Sequence, residues 1–172
     1  EVIIISKKLK SFDPIINENS KILILGTFPG GKSLESKQYY ANPRNQFWEI
    51  IYSVYNADVL GNYDEKCQFL LDNNIAVWDV LNYVFREGSL DISIEDEVPN
   101  NIPELLEKYS NIHRIVFNGS KAEKYFKRYF RNLYNTMDCV RVSSTSPTPG
   151  KNVKSLSEKK LEWKQVIKGE KK

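Results

Sequence analysis

The first residues with the spacing of a chemical site are Gly26-Thr-Phe-Pro-Gly-Gly-Lys-Ser33, which satisfy the phosphate-loop pattern directly behind an apolar run. Such a loop cradles phosphates with successive backbone N–H groups, backed by its lysine and hydroxyl. Ile75-Ala-Val-Trp-Asp79 would then be the strand and aspartate that help hold magnesium, which makes a kinase or nucleotide hydrolase a serious reading. Two residues work against it. Pro29 deletes one N–H donor from the cradle, and Phe28 puts bulk where the turn needs small side chains. The following segment, Leu34 to Ala41, is poorly amphipathic and stops at Asn42-Pro43. This reading also leaves Tyr39 to Trp48 and Ser143 to Pro147 without a role.

Four apolar runs could position these loops. Lys21 to Leu25, Ile75 to Trp78 and Arg114 to Phe117 read as buried parallel strands, with Val140 to Val142 as a fourth. Between them, Gln46 to Tyr55 carries Phe47, Ile50, Ile51 and Val54 on one helical face, which assigns Phe47 and Trp48 to the core. Ile102 to Tyr109 and Lys121 to Phe130 are similarly amphipathic, and Ser155-Leu-Ser-Glu158 resembles a capping box opening a last helix through Ile167. Strands alternating with helices imply an α/β fold, a parallel sheet covered on both faces, in one domain over 1–172. Ligands in such folds sit beyond the carboxyl ends of the strands, so the loops that matter begin at Gly26, Asp79, Asn118 and Ser143.

Composition narrows the class further. The chain has 172 residues, 41% hydrophobic and 27% charged, which suits a globular domain and argues against disorder. A net charge of only +3 means that any nucleic-acid footprint comes from local placement of charge. Cys67 and Cys139 stand far apart without neighbouring histidines, so no metal knuckle or disulfide framework is expected, and a reducing cytoplasmic location is. The sole histidine, His113, reads as a surface or strand-edge residue. The run Val2 to Ile5 is too short for a signal peptide or membrane span, and no later stretch qualifies.

Five blocks taken in order resemble one family. They are Ile24-Leu-Gly-Thr-Phe-Pro-Gly30; Tyr39-Tyr-Ala-Asn-Pro-Arg-Asn-Gln-Phe-Trp48; Ile75-Ala-Val-Trp-Asp-Val-Leu81 with Arg86-Glu-Gly-Ser-Leu-Asp91; Val116-Phe-Asn-Gly119; and Val142-Ser-Ser-Thr-Ser-Pro147. Together they resemble the uracil-DNA glycosylase superfamily, nearest its mismatch-type and hypoxanthine branch. The resemblance implies a three-layer α/β/α fold with a four-stranded parallel sheet, no cofactor and no metal. It also implies a partner: DNA carrying a deaminated or mismatched base, bound by a monomer. Excision of hypoxanthine or uracil is the activity implied. A damage-binding module without catalysis stays open beside it, as does the phosphate-loop reading.

The resemblance also distributes roles. Tyr40 takes the place of an aromatic that stacks on the flipped base, with Phe28 and Tyr39 as neighbours and Gly26 and Thr27 completing the base pocket. Asn118 takes that of a base-reading asparagine. An amide can donate to a carbonyl and accept from an adjacent ring N–H, a pair that uracil and hypoxanthine present and that cytosine and adenine reverse. Phe28 stands where relatives carry a catalytic asparagine or aspartate, so water positioning falls to Asn45, as in the hypoxanthine branch. Helix capping is the alternative role for both Asn45 and Asn118. Ser144, Thr145 and Ser146, with Lys151 and Lys154, take the place of a loop that grips the DNA backbone. Ser144 replaces a histidine of some relatives, and Thr148-Pro149 replaces their leucine wedge.

Overall fold

The computed structural model describes residues 6–87, 95–147 and 152–169. Strand β2 (Ile22–Gly26) lies between β3 (Ile75–Asp79) and β6 (Arg114–Asn118), and β7 (Asp138–Val142) pairs beyond β6. All three pairings are parallel and in register, with Gly26 opposite Asp79 and Asn118 opposite Val142. Strands β2, β3 and β6 carry near-continuous apolar runs because both their faces are covered, whereas edge strand β7, Asp138-Cys-Val-Arg-Val142, is only partly buried. Alternate residues of β2 feed two cores. Ile22 and Ile24 join Phe47, Ile50, Ile51, Val54, Leu70 and Trp163 on one side, while Leu23 and Leu25 join Ile102, Leu105, Ala122 and Phe126 on the other.

The first core belongs to α2 (Phe47–Val54), α3 (Tyr63–Asp72) and α7 (Leu156–Lys168), and the second to α4 (Ile102–Lys108) and α5 (Ser120–Tyr129). This is the three-layer α/β/α arrangement. Helix α7 starts at the expected capping box: Ser155 Oγ accepts from Glu158 N–H at 3.2 Å, and Glu158 Oε1 accepts from Ser155 N–H at 3.1 Å. Asn62 and Asn101 cap α3 and α4 with the first kind of bond, their Oδ1 atoms accepting from the N–H of Glu65 and Glu104.

Several elements lie outside what the apolar patterns imply. Short α1 (Gly31–Ser36) and α6 (Arg131–Thr136) fill connections. A second, antiparallel sheet forms from β1 (Ser6–Lys10), β4 (Leu81–Glu87) and β5 (Glu95–Pro99), in the order β1-β4-β5. Among the described residues no helix is long and apolar enough to cross a membrane.

The chain leaves β2 for β3 on one side and returns to β6 on the other, so the connections diverge at the carboxyl end of β2. A crevice opens at such a switch point.

Candidate active site

That crevice is a cavity of about 1150 Å³, lined by Gly26 to Gly30, Tyr39, Tyr40, Asn45, Asp79, Asn118 and the loop Ser143 to Pro147. Every described residue that the family resemblance singled out lines it. Lys151 and the pair Thr148-Pro149 lie outside the described residues, as does most of the Arg86 to Asp91 block.

The wall is the loop from Tyr39 to Gln46. Tyr39 anchors it: its hydroxyl donates to Asp13 O at 2.9 Å, its N–H donates to the Tyr63 hydroxyl at 3.0 Å, and its carbonyl accepts from Trp48 Nε1 at 3.3 Å. Tyr40 then adopts a left-handed φ of 54°, a conformation rare for a residue of this size. Its ring lies on Phe47, centroids 3.9 Å apart and planes within 21°. Its hydroxyl accepts from Asn118 Nδ2 at 3.2 Å. Burial, then the negative charge of Asp79, pushes that hydroxyl's pKa well above the ordinary tyrosine value. Tyr40 is thus a neutral ring held rigidly at one face and at its tip.

Asn118 is tied down at every donor. Nδ2 donates to the Tyr40 hydroxyl and, at 3.0 Å, to Thr145 Oγ1, while Oδ1 accepts from Thr145 N–H at 3.0 Å. Its amide orientation is therefore fixed, with one Oδ1 lone pair left to offer. It does not cap α5, whose N-cap is Gly119 without a side-chain bond. Gly119 has φ +93° and brings its Cα close to Ser144, where a Cβ would stand 3.1 Å from Ser144 Cβ.

Thr145 is only 1% exposed and also accepts from Gln46 N–H through its carbonyl at 2.9 Å. It clasps the two walls together, bonded to Asn118 on one side and Gln46 on the other. Ser144 Oγ accepts from Ser146 N–H at 3.1 Å, closing a turn. Lys154 pairs with Glu162, which also accepts from Ser143 N–H. Lys159, 3% exposed, reaches the cavity from α7 and donates to Gln46 Oε1 at 2.9 Å. Its pKa is lowered by burial.

Asn45 lines the cavity and is half-buried. Its Oδ1 accepts from Phe47 N–H at 2.9 Å, a capping bond made one residue ahead of the formal N-cap, Gln46. One Oδ1 lone pair and both Nδ2 hydrogens remain for a ligand. Phe28 is half-buried and packs against the second core, and Gly26 and Thr27 accept from Val80 and Leu81 N–H through their carbonyls.

The cavity also holds Asp79, which the sequence offered only as the magnesium aspartate of the phosphate-loop reading and as the start of a strand-end loop, not as a residue of the base pocket. Asp79 ends β3, is 4% exposed, and accepts from Ser11 Oγ at 3.2 Å through Oδ2. Burial pushes its carboxyl up to about 7, against the Ser11 hydrogen bond that lowers it. The available signal was its place at the carboxyl end of a fully apolar strand.

The phosphate-loop reading meets two obstacles here. The helix after the loop has only six residues, and Ser33 Oγ, needed for a metal, instead accepts from Ala41 N–H at 3.1 Å. No cluster of potential metal ligands occurs among the described residues. His113 is exposed just before β6, at the far end of the sheet from the cavity.

A crevice walled by a clamped aromatic and two asparagines sits at the strand ends, where proteins of this three-layer α/β class bind their ligands. The family model of the Uracil DNA glycosylase superfamily matches residues 14–167, and the chain belongs to that superfamily. It is 35% identical over 162 residues to a protein named Hypoxanthine DNA glycosylase from Methanosarcina barkeri, covering 94% of this chain and 99% of the relative. A Methanosarcina acetivorans protein of the same name is 34% identical over 92% of this chain and 97% of its own length. The solution structure of a candidate uracil DNA glycosylase from Methanosarcina acetivorans superposes with a TM-score of 0.79 at 31% identity, covering 94% of this chain and 97% of the other. His113 and both cysteines take no part in the cavity.

Proposed function

We propose that this protein is a monofunctional DNA glycosylase that flips a deaminated base, hypoxanthine or uracil, out of DNA and hydrolyses its glycosidic bond. The observation that carries the reading is the clamped Tyr40–Asn118–Thr145 cluster inside the strand-end cavity of a superfamily member. Unstacking a base costs a few kcal/mol. A platform already fixed by Phe47 and Asn118 loses no further freedom when the base stacks on it, so more of the stacking energy offsets that cost.

A flipped nucleotide enters base-first. Its sugar stays at the mouth with Asn45, and the edge opposite the glycosidic bond meets the floor. Asn45 Oδ1 can take one hydrogen of a water while Phe47 N–H holds that oxygen in place. Cleavage through an oxocarbenium-like state needs such orientation more than base strength. The loop Ser144 to Ser146, with Lys154, faces the backbone of the DNA. We further propose that the enzyme acts as an intracellular monomer.

The test incubates the protein with EDTA and duplexes carrying hypoxanthine, uracil, xanthine or a thymine mismatch, then cleaves abasic sites with alkali. Excision that survives EDTA and nicks only after alkali is expected. Borohydride should trap no covalent complex, because Lys159 Nζ is engaged with Gln46 and Ser146. Loss of activity on chelation, or trapping through Lys159, overturns the monofunctional mechanism.

A further inference from the structure

Asp79 has no part in the glycosylase roles assigned so far, yet it lines the cavity at only 4% exposure, opposite Gly26 at the end of β2. A methyl group placed on Gly26 would stand 2.7 Å from Asp79 Oδ1 and 3.1 Å from the Tyr40 hydroxyl. Glycine here lets the carboxyl oxygen and the platform's tip approach the same point. Asp79 forms no salt bridge among the described residues. Ser11 approaches it from the segment after β1, Gly26 from β2, and Tyr39 and Tyr40 from the wall loop, while Asn100 donates only to its backbone carbonyl, at 2.7 Å. None of these groups is a cation. The floor therefore favours a neutral carboxylic acid.

We propose that Asp79 determines specificity: as the neutral acid it donates Oδ1–H to the carbonyl of a flipped lactam base. The inference rests on the glycosylase reading and deepens it. Asn118 has already spent both N–H donors on Tyr40 and Thr145, so it cannot serve that carbonyl. Ser11 donates to Oδ2, which makes Oδ2 the acceptor oxygen and leaves the proton on Oδ1, the oxygen beside Gly26. An O–H donor suits the carbonyl of hypoxanthine or uracil. It opposes the exocyclic amino donor of adenine or cytosine, and such a mismatch leaves buried polar groups unpaired. Ionised, Asp79 repels the carbonyl instead. Burial places its pKa at about 7, inside the working range.

The experiment measures single-turnover excision of hypoxanthine and uracil from about pH 6 to 9 for the wild type, Asp79→Ala and Asp79→Asn. The wild-type rate should fall about a hundredfold over that range, as one proton is lost. Asp79→Ala should be slow at every pH. Asp79→Asn, an amide that donates without titrating, should recover part of that loss and show no fall, so its profile crosses the wild type's and lies above it at pH 9. Parallel profiles for wild type and Asp79→Asn overturn the inference, as does Asp79→Asn matching Asp79→Ala while melting no lower than the wild type. A wild type inactive on both bases at every pH sinks the glycosylase reading instead, a different result.

Discussion

Asn118 and Thr145 close on each other twice: the asparagine donates to the threonine hydroxyl and accepts from its N–H, both at 3.0 Å. This double bond of contacts joins the end of β6 to the loop after β7, and through Tyr40 to the opposite wall. Asn118→Ala leaves a buried N–H and two hydroxyls without partners, and each such group costs about 1–3 kcal/mol. The variant should melt several degrees lower and lose excision with both lactams alike. A change confined to one base, without a stability loss, would instead mark Asn118 as a reader of the base edge.

Under the glycosylase reading Lys154, which lines the cavity, meets the DNA backbone, and it is shared with Glu162. Pairing to a carboxylate reduces what a phosphate gains from the same ammonium. Lys154→Ala should weaken binding to an abasic duplex uniformly across sequences and lower the salt slope by about one unit. Titrations of affinity against salt at several concentrations check this. An unchanged slope places the DNA face elsewhere on the molecule.

Asp79 also links folding to pH. Its carboxyl holds a proton up to about 7 in the native protein, against an ordinary value of 3.8. Between those values the native state binds more protons than the unfolded chain, so raising the pH destabilises it, and above about 7 the loss is complete. A difference of about three units corresponds to at most about 4 kcal/mol. Asp79→Asn should thus gain stability over the wild type as pH rises from about 4 to 8. Glu97, Glu158 and Glu162 are held low and act in the opposite sense, but they are common to both proteins and cancel in the comparison. Urea unfolding at the two pH values measures the difference; a gap that does not widen contradicts the raised value.

The contrast between Asp79 and β2 explains how far the sequence could be read. Ile22 to Leu25 are buried on both faces, so burial writes itself into residue type, and all four strands of the parallel sheet were legible. Strand β1 reads Ser-Lys-Lys-Leu-Lys and β5 reads Glu-Asp-Glu-Val-Pro; they are strands because β4 pairs with both, not because their residues favour it. The cavity's residues were legible as blocks, through resemblance. Asp79's protonation was not, since it arises where Ser11, 68 residues away, meets Gly26 and Tyr40.

Asn45 offers the sharpest separation of structure from chemistry, because one side chain could do both. Its Oδ1 caps α2 through Phe47 N–H, a bond whose loss costs about 1 kcal/mol of stability. Orienting a water is a different task, done by the remaining lone pair and the amide hydrogens. Removing one preorganised polar group at a transition state costs about 3 kcal/mol, roughly a hundredfold in rate. Asn45→Ala should therefore lower single-turnover cleavage about a hundredfold while its melting temperature falls by only a few degrees and its affinity for an abasic duplex holds. Asn45→Asp keeps the cap, because a carboxylate accepts from Phe47 N–H, but places a charge beside the incoming phosphates. Its stability should match the wild type while DNA binding weakens. Near-normal cleavage by Asn45→Ala would leave Asn45 as a cap alone, and the water would have to be held from the floor.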